Sequence, residues 1–303
     1  MRTTAAEAGP DAGEAPVAAP RPGLRAHARL RAEAAYPGAR TVLSELVSDG
    51  PLALRRTRHP EDPDAAQATV VGAMAAPLTG DHLRITVRVG PAARLRVTSA
   101  AATVSLPGRT GPGAPALEPA RYELEFHIAD GGILEWLPEP VIAAAGSHLR
   151  QHTRVRLAPG ARLVLREEQV LGRATDPQPG RLASRLTVRR TAADGGPGRL
   201  LLDQETDLGP GSPAWDGPAV LGPHRALGQL LTTESPGPPV QAAGRAGEFA
   251  AEFAAEATAS AGSAESADLA LPGDCGLTLR TALAANGLDL RRALSGPPHM
   301  VLL

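Results

Sequence analysis

Residues 133–173, ILEWLPEPVIAAAGSHLRQHTRVRLAPGARLVLREEQVLGR, are the stretch whose reading decides the fold. From Gln151 to Val170 apolar and polar residues alternate on both sides of Pro159 and Gly160, a spacing that predicts two half-buried strands paired antiparallel across a turn. Side chains on a strand point alternately to opposite faces, so Leu163, Leu165, Glu167, Gln169 and Leu171 share one. That face is otherwise apolar, which puts a carboxylate and an amide on the inner side. A buried charge is costly unless something answers it, so Glu167 requires a partner, water or a metal there.

The same alternation recurs outward from this stretch. In LRAHARLRAEA (24–34) Leu24, Ala26, Ala28 and Leu30 alternate with Arg25, His27, Arg29 and Arg31. Leu83, Ile85, Val87 and Val89 form one face of the next such run, with a turn at Gly90 and Pro91, and Tyr122, Leu124, Phe126 and Ile128 form one face of RYELEFHI. TVLSELVSDGPLALRR (41–56) has the form of a hairpin turning at Asp49, Gly50 and Pro51. Strand runs continue through 181–190 and 198–211, and residues 215–231 have the composition of a loop feeding a last strand. No amphipathic helix separates these strands, which favours stacked sheets or an irregular β-solenoid over a βαβ fold. Helical spacing appears only near the end, in GEFAAEFAAEATA (247–259) and TLRTALAANGLDLRRAL (278–294), the latter open to interruption at Asn286 and Gly287. The expected layout is a disordered tail over 1–23, a β-rich domain over 24–235 and a C-terminal region with one or two helices over 236–303.

Composition narrows the function. A chain of 303 residues can bury a real core, but with aromatic residues at 2% that core must be built from Leu, Val, Ile and Ala. All 31 basic residues are Arg; set against 32 acidic ones they leave a formal net charge of −1, without the strong basic field of a nucleic-acid binder. The single cysteine, Cys275, forms no intramolecular disulfide and no CxxC zinc site, which fits a reducing, cytoplasmic setting. No apolar run approaches the roughly 20 residues that cross a bilayer.

No GxSxG elbow, HExxH pair, Walker motif or zinc spacing is present. The loop at 106–115, LPGRTGPGAP, is glycine-rich but lacks the GKS or GKT ending of a phosphate cradle. His59 with Glu61 and Glu125 with His127 are spaced to touch a cation, although solvated loop and strand faces account for both pairs. Asp81 and Glu139, beside turns, are weaker candidates of the same kind. The inward carboxylate of Glu167 remains the one unusual feature.

The motifs of this stretch resemble those of the urease accessory protein UreD family, also called UreH. The resemblance rests on Leu134, Glu135, Trp136, Leu137 and Pro138, on the AAAGSHLRQHTRV segment, on Gly160 and Ala161, and on the closing Leu171, Gly172 and Arg173. It extends to TVLSELVSDGPL, Gly80 and Asp81, VTSAAATV and LLLDQETDLGPG. What it implies is a mainly β, irregular β-helix-like stack of antiparallel strands with a small C-terminal helical region. It also implies a non-enzymatic scaffold without a tightly bound cofactor, which joins a UreF-like protein and a UreG-like GTPase on apo-urease while nickel passes to the urease metallocentre. On that reading Glu167, helped by Glu135 or Gln169, lines a wet nickel path, with pairing of Glu167 to an arginine across the sheet as the plainer alternative. The rivals from other classes are a β-solenoid carbohydrate-active enzyme and a structural β-protein with no metal role.

Overall fold

The computed structural model describes residues 23–108, 117–192, 198–233, 264–271 and 276–295. Seventeen strands and one helix lie among them, in two sheets that enclose a common core. The first sheet contains β1 (Arg25–Glu33), β2 (Val42–Val47), β5 (His82–Val89), β8 (Ala120–Ile128), β11 (His148–Leu157), β13 (Arg181–Arg190) and β14 (Arg199–Leu208). Their order across the sheet is β14-β13-β11-β8-β5-β1-β2. The second sheet holds β3 (Leu52–Thr57), β4 (Ala66–Gly72), β6 (Arg94–Ser99), β9 (Ile133–Leu137), β12 (Arg162–Leu171), β15 (Ala226–Thr233), β16 (Glu265–Ala270) and β17 (Leu277–Ala284). They run in the order β16-β17-β15-β12-β9-β6-β4-β3. Two short strands, β7 (Thr103–Ser105) and β10 (Val141–Ala143), pair with each other, and β10 joins the second sheet through β12.

Mainly β, coiled, and with one small C-terminal helix, the fold is of the expected class. Its pairing is mixed, however, not antiparallel throughout. The predicted hairpin between β11 and β12 does not form: β11 pairs parallel with β8 and β13, while β12 pairs parallel with β9 and antiparallel with β15. The turn at Pro159 and Gly160 carries the chain from one sheet to the other, as do the turns at Gly90 and at Asp130. Residues 41–56 behave alike, β2 staying in the first sheet and β3 starting the second. Alternation of apolar residues reports which face of a strand is buried; it is silent on whether the next strand turns back beside it or crosses to the facing layer.

Each coil therefore stacks on the previous one, and the ladder continues through the corners. The Ala129 N–H donates to Val89 O, that of Ala158 to Ile128 O and that of Thr191 to Leu157 O, all at 2.8–2.9 Å. Gly160 donates its N–H to Asp130 Oδ1 of the corner beneath at 2.8 Å, and a Cβ there would lie 2.2 Å from the same oxygen. Glycine is the residue that lets the corners approach so closely.

The interior changes character along the stack. Beneath β5, β8, β6 and β9 it is dry, filled by Leu83, Ile85, Leu95, Leu134 and the tilted ring pair of Phe126 and Trp136, 4.7 Å between centroids. The inward faces expected for β5 and β8 are observed, as is that of β1 from Ala26 to Leu30, whereas Leu24 lies before the strand and is exposed. Towards β13, β14, β15 and β17 a polar pocket of amides, hydroxyls and Glu167 opens among the leucines, with Leu182, Leu186, Leu231 and Leu279 still buried around it.

The C-terminal reading needs revision. Residues 277–284 are strand β17, and the helix α1 spans only Gly287–Ser295. Asn286 caps it, its side-chain oxygen accepting the N–H groups of Leu288 and Asp289 at 3.0 Å. Buried Leu290 and Leu294 seat the helix on Ala226, Ala282 and Ala284 at the outer face of the second sheet. Residues 215–231 do feed a strand, β15, but two more follow it. The helix expected over 247–259, Cys275 and nearly all of the 1–23 tail lie outside the described residues.

Candidate functional site

Glu167 stands on the inner face of β12, 4% exposed, under the facing strand β11. Its Oε1 accepts hydrogen bonds from Gln151 Nε2 at 2.9 Å and Thr153 Oγ1 at 2.5 Å, and its Oε2 accepts one from Gln229 Nε2 on neighbouring β15 at 2.9 Å. The period-two alternation that buries Val155 and Leu157 also brings Gln151 and Thr153 inward from β11, and Gln229 is placed by its register opposite Glu167. Among the described residues Glu167 makes no ion pair. The arginine partner weighed from sequence is therefore absent there, and three neutral donors take its place.

Burial pushes the Glu167 carboxyl above the usual carboxylate range, and the three hydrogen bonds pull only partly against it. Beside it is a cavity of about 20 Å³ lined by Glu167, Gln169, Ser184, Gln204, Thr206 and Gln229, among others. A single water needs roughly 10–15 Å³ by the same measure. The buried side-chain oxygens of Gln151, Gln169, Ser184 and Gln229 have no hydrogen-bond partner within the protein and so offer further acceptor sites. A carboxylate without a counter-charge, amid unused acceptor oxygens, can hold a proton or attract a small hydrated cation. The described residues contain no group of three or more His, Cys, Asp or Glu that could enclose a metal.

The other candidates lie elsewhere. Gln169 lines the same cavity, but Glu135 points outward from β9, where Leu134 and Trp136 take the inner face. Glu135 pairs with Arg96 and lies 3.8 Å from His59 Nε2, so the fold does not bring it to Glu167. His59 is not solvated; it is buried, and its Nδ1 accepts the N–H groups of Glu61 and Asp62. Asp81 is buried too, binding the N–H groups of Leu24 and Leu78 at 2.8 Å and tying two segments together. Glu125 pairs with Arg84 and sits 3.5 Å from His127 on the outer face of the first sheet.

The remaining motif residues shape corners. Leu137 ends β9, and the carbonyl of Pro138 accepts Arg166 Nη2 at 3.1 Å. Gly172 adopts a positive φ of 80°, the conformation glycine tolerates best, and Arg173 forms a two-pronged ion pair with Asp176. Asp176 also accepts the N–H of Ala145, which ties this corner to the one after β10.

Sequence reasoning passed over Glu168. Its side chain is 1% exposed and faces away from Glu167, towards Arg291 of α1 at 2.5 Å and Arg166 at 3.5 Å. Arg291 also reaches Glu139 at 3.0 Å, which makes Glu139 part of the clamp on the helix. The Glu-Glu pair of residues 167–168 was visible, but not that a helix more than a hundred residues later would cover its outer member.

Comparison with known proteins identifies the family. Residues 25–296 match the family model described as UreD urease accessory protein. A Streptomyces coelicolor protein named urease accessory protein UreD is 46% identical over 275 residues, 90% of this chain and 95% of its own. UreD 3 of Streptomyces griseus subsp. griseus is 52% identical over 214 residues, covering 70% of this chain and 77% of that one. A UreD protein of Frankia casuarinae is 40% identical over 297 residues, 92% of this chain and 90% of its own. With a family model matched over residues 25–296 and relatives that span most of its length, the chain belongs to the UreD family of urease accessory proteins.

Proposed function

We propose that this protein is a cytoplasmic maturation scaffold that, with a UreF-like protein and a UreG-like GTPase, docks on apo-urease and assists nickel delivery to the urease metallocentre. It acts without catalysing a reaction itself. The observation that supports a transit role best is Glu167, a buried carboxylate with no counter-charge beside a water-sized polar cavity. Nickel is cargo here. One carboxylate, three amides and hydroxyls suit a weak and reversible site, because a closed cage of nitrogen and sulfur ligands would retain the ion.

The test is Glu167→Gln, expressed with urease and the other accessory proteins. Urease activation in cells should fall while co-purification with the UreF-like and UreG-like partners persists. Unchanged activation would remove Glu167 from the path, and loss of co-purification would make its role structural. A carbohydrate-active enzyme is disfavoured by the lack of aromatic platforms: Tyr36 is the exposed aromatic among the described residues, and it sits alone.

A further inference from the structure

The outer face of the first sheet is covered with charged side chains, most of them matched. Arg84 pairs with Glu125, His82 lies 3.0 Å from Glu123, Arg181 2.6 Å from Asp207 and Arg185 2.7 Å from Asp203. The row of residues nearest the Gly90 and Pro159 corners is different. Strand register places Arg31 beside Arg88, Arg88 beside His127, His127 beside Arg156 and Arg156 beside Arg189. All four arginines are exposed, and none of the five residues is acidic; the row ends on β2 at Glu45, which is engaged by Arg29 at 2.8 Å.

Arg31 reaches Glu33 at 3.4 Å, but Arg88, Arg156 and Arg189 form no ion pair among the described residues. Like charges directly opposite one another weaken a sheet, so this row is a standing cost to the isolated fold. Arg31, Arg88, His127 and Arg156 also line a groove of about 380 Å³ on the rim.

We propose that this row is a docking surface for an extended acidic segment of a partner protein, its carboxylates laid across β1, β5, β8, β11 and β13. Charge complementarity selects the occupant. Four strand spacings make the row roughly 19 Å long, too long for one small anion to satisfy. It is also narrow, since the next row inward sets Glu125 and Asp203 against Arg29 and Arg154 and so adds no net positive charge for a broad polyanion such as a nucleic acid. A strip of carboxylates one side chain wide fits both limits. The row lies on the outer face of the first sheet, opposite the inner face from which Gln151 and Thr153 reach Glu167, and does not depend on the nickel reading.

The test uses the full-length protein and fluorescence anisotropy with two probes, a labelled deca-glutamate peptide and a thymidine decanucleotide. The peptide should bind in low salt, and Arg88→Gln with Arg156→Gln should weaken it by about tenfold, as expected for two exposed charge contacts. Arg185→Gln, whose arginine is already paired with Asp203, should change affinity by less than about twofold. The melting temperature of the double variant should not drop, because repulsion has been relieved; this separates lost docking from lost folding. Three results would overturn the proposal: no peptide binding by the parent, equal binding by the double variant, or oligonucleotide binding as tight as the peptide's and lost in the same variant.

Discussion

Glu167 and Glu168 are adjacent in the chain and buried on opposite faces of β12, the first met by neutral donors from β11 and β15, the second by the guanidinium of Arg291. The inner carboxylate is held beside a cavity, while the outer one fastens a helix. One strand thus serves packing and chemistry with consecutive residues of the same type, and the two roles are separable by mutation.

The outer pair should dominate local stability. Arg291→Ala leaves Glu168 buried with only Arg166 nearby at 3.5 Å, and removing one partner of a buried pair costs about 3 kcal/mol. Urea denaturation should show that loss. The double variant Glu168→Gln, Arg291→Met should recover part of it, since the most deeply buried charge is gone, although Arg166 and Glu139 each lose a partner.

The inner carboxylate should give stability a distinctive pH dependence. Burial raises the folded Glu167 carboxyl above its ordinary value of 4.5, so the protonated form is favoured by folding. Its contribution is complete below 4.5 and fades as pH climbs through the folded value. Glu167→Gln removes that dependence because an amide does not titrate, and Gln229 can turn its unused oxygen towards the new amide. Denaturation midpoints measured from pH 4 upward should therefore move in favour of the variant as pH rises. A constant difference between the two proteins would contradict the assignment.

Gly228 should tolerate no side chain without cost. A Cβ there would lie 2.8 Å from Leu294 Cδ1 and 3.1 Å from Leu290 Cδ2, directly under α1. Gly228→Ala should lower stability by about 1–3 kcal/mol. Hydrogen exchange should locate the change, with faster exchange confined to α1 and the strands beneath it.

Much of this was readable from sequence, and the gaps have physical causes. Period-two alternation identified the buried faces of β1, β5, β8 and β12, including the inward Glu167, because a strand fixes its side-chain directions locally. Pairing is non-local. The sequence around Pro159 and Gly160 is compatible with a hairpin and with a corner between sheets, and only the stacking of Gly160 on Asp130 distinguishes them. Leu279 and Leu283 fit a helical spacing as well as they fit alternate positions of β17, so the strand was hidden inside an apparent helix. Glu135 and Glu167 looked equivalent as acidic residues in one motif, yet the parity of their strand positions separates them by the thickness of a sheet.

The placing of one polar pocket in a leucine-rich interior, with the ring pair to one side of it, also bears on the transit role proposed above. Phe126, Trp136 and the leucines around them act as a stopper, each almost inaccessible to solvent. If Glu167 takes nickel as proposed, an ion beside it would meet a cul-de-sac on that side. On that reading its way in and out would run across β13, β14, β15 and β17, whose hydroxyls and carboxamides line the cavity.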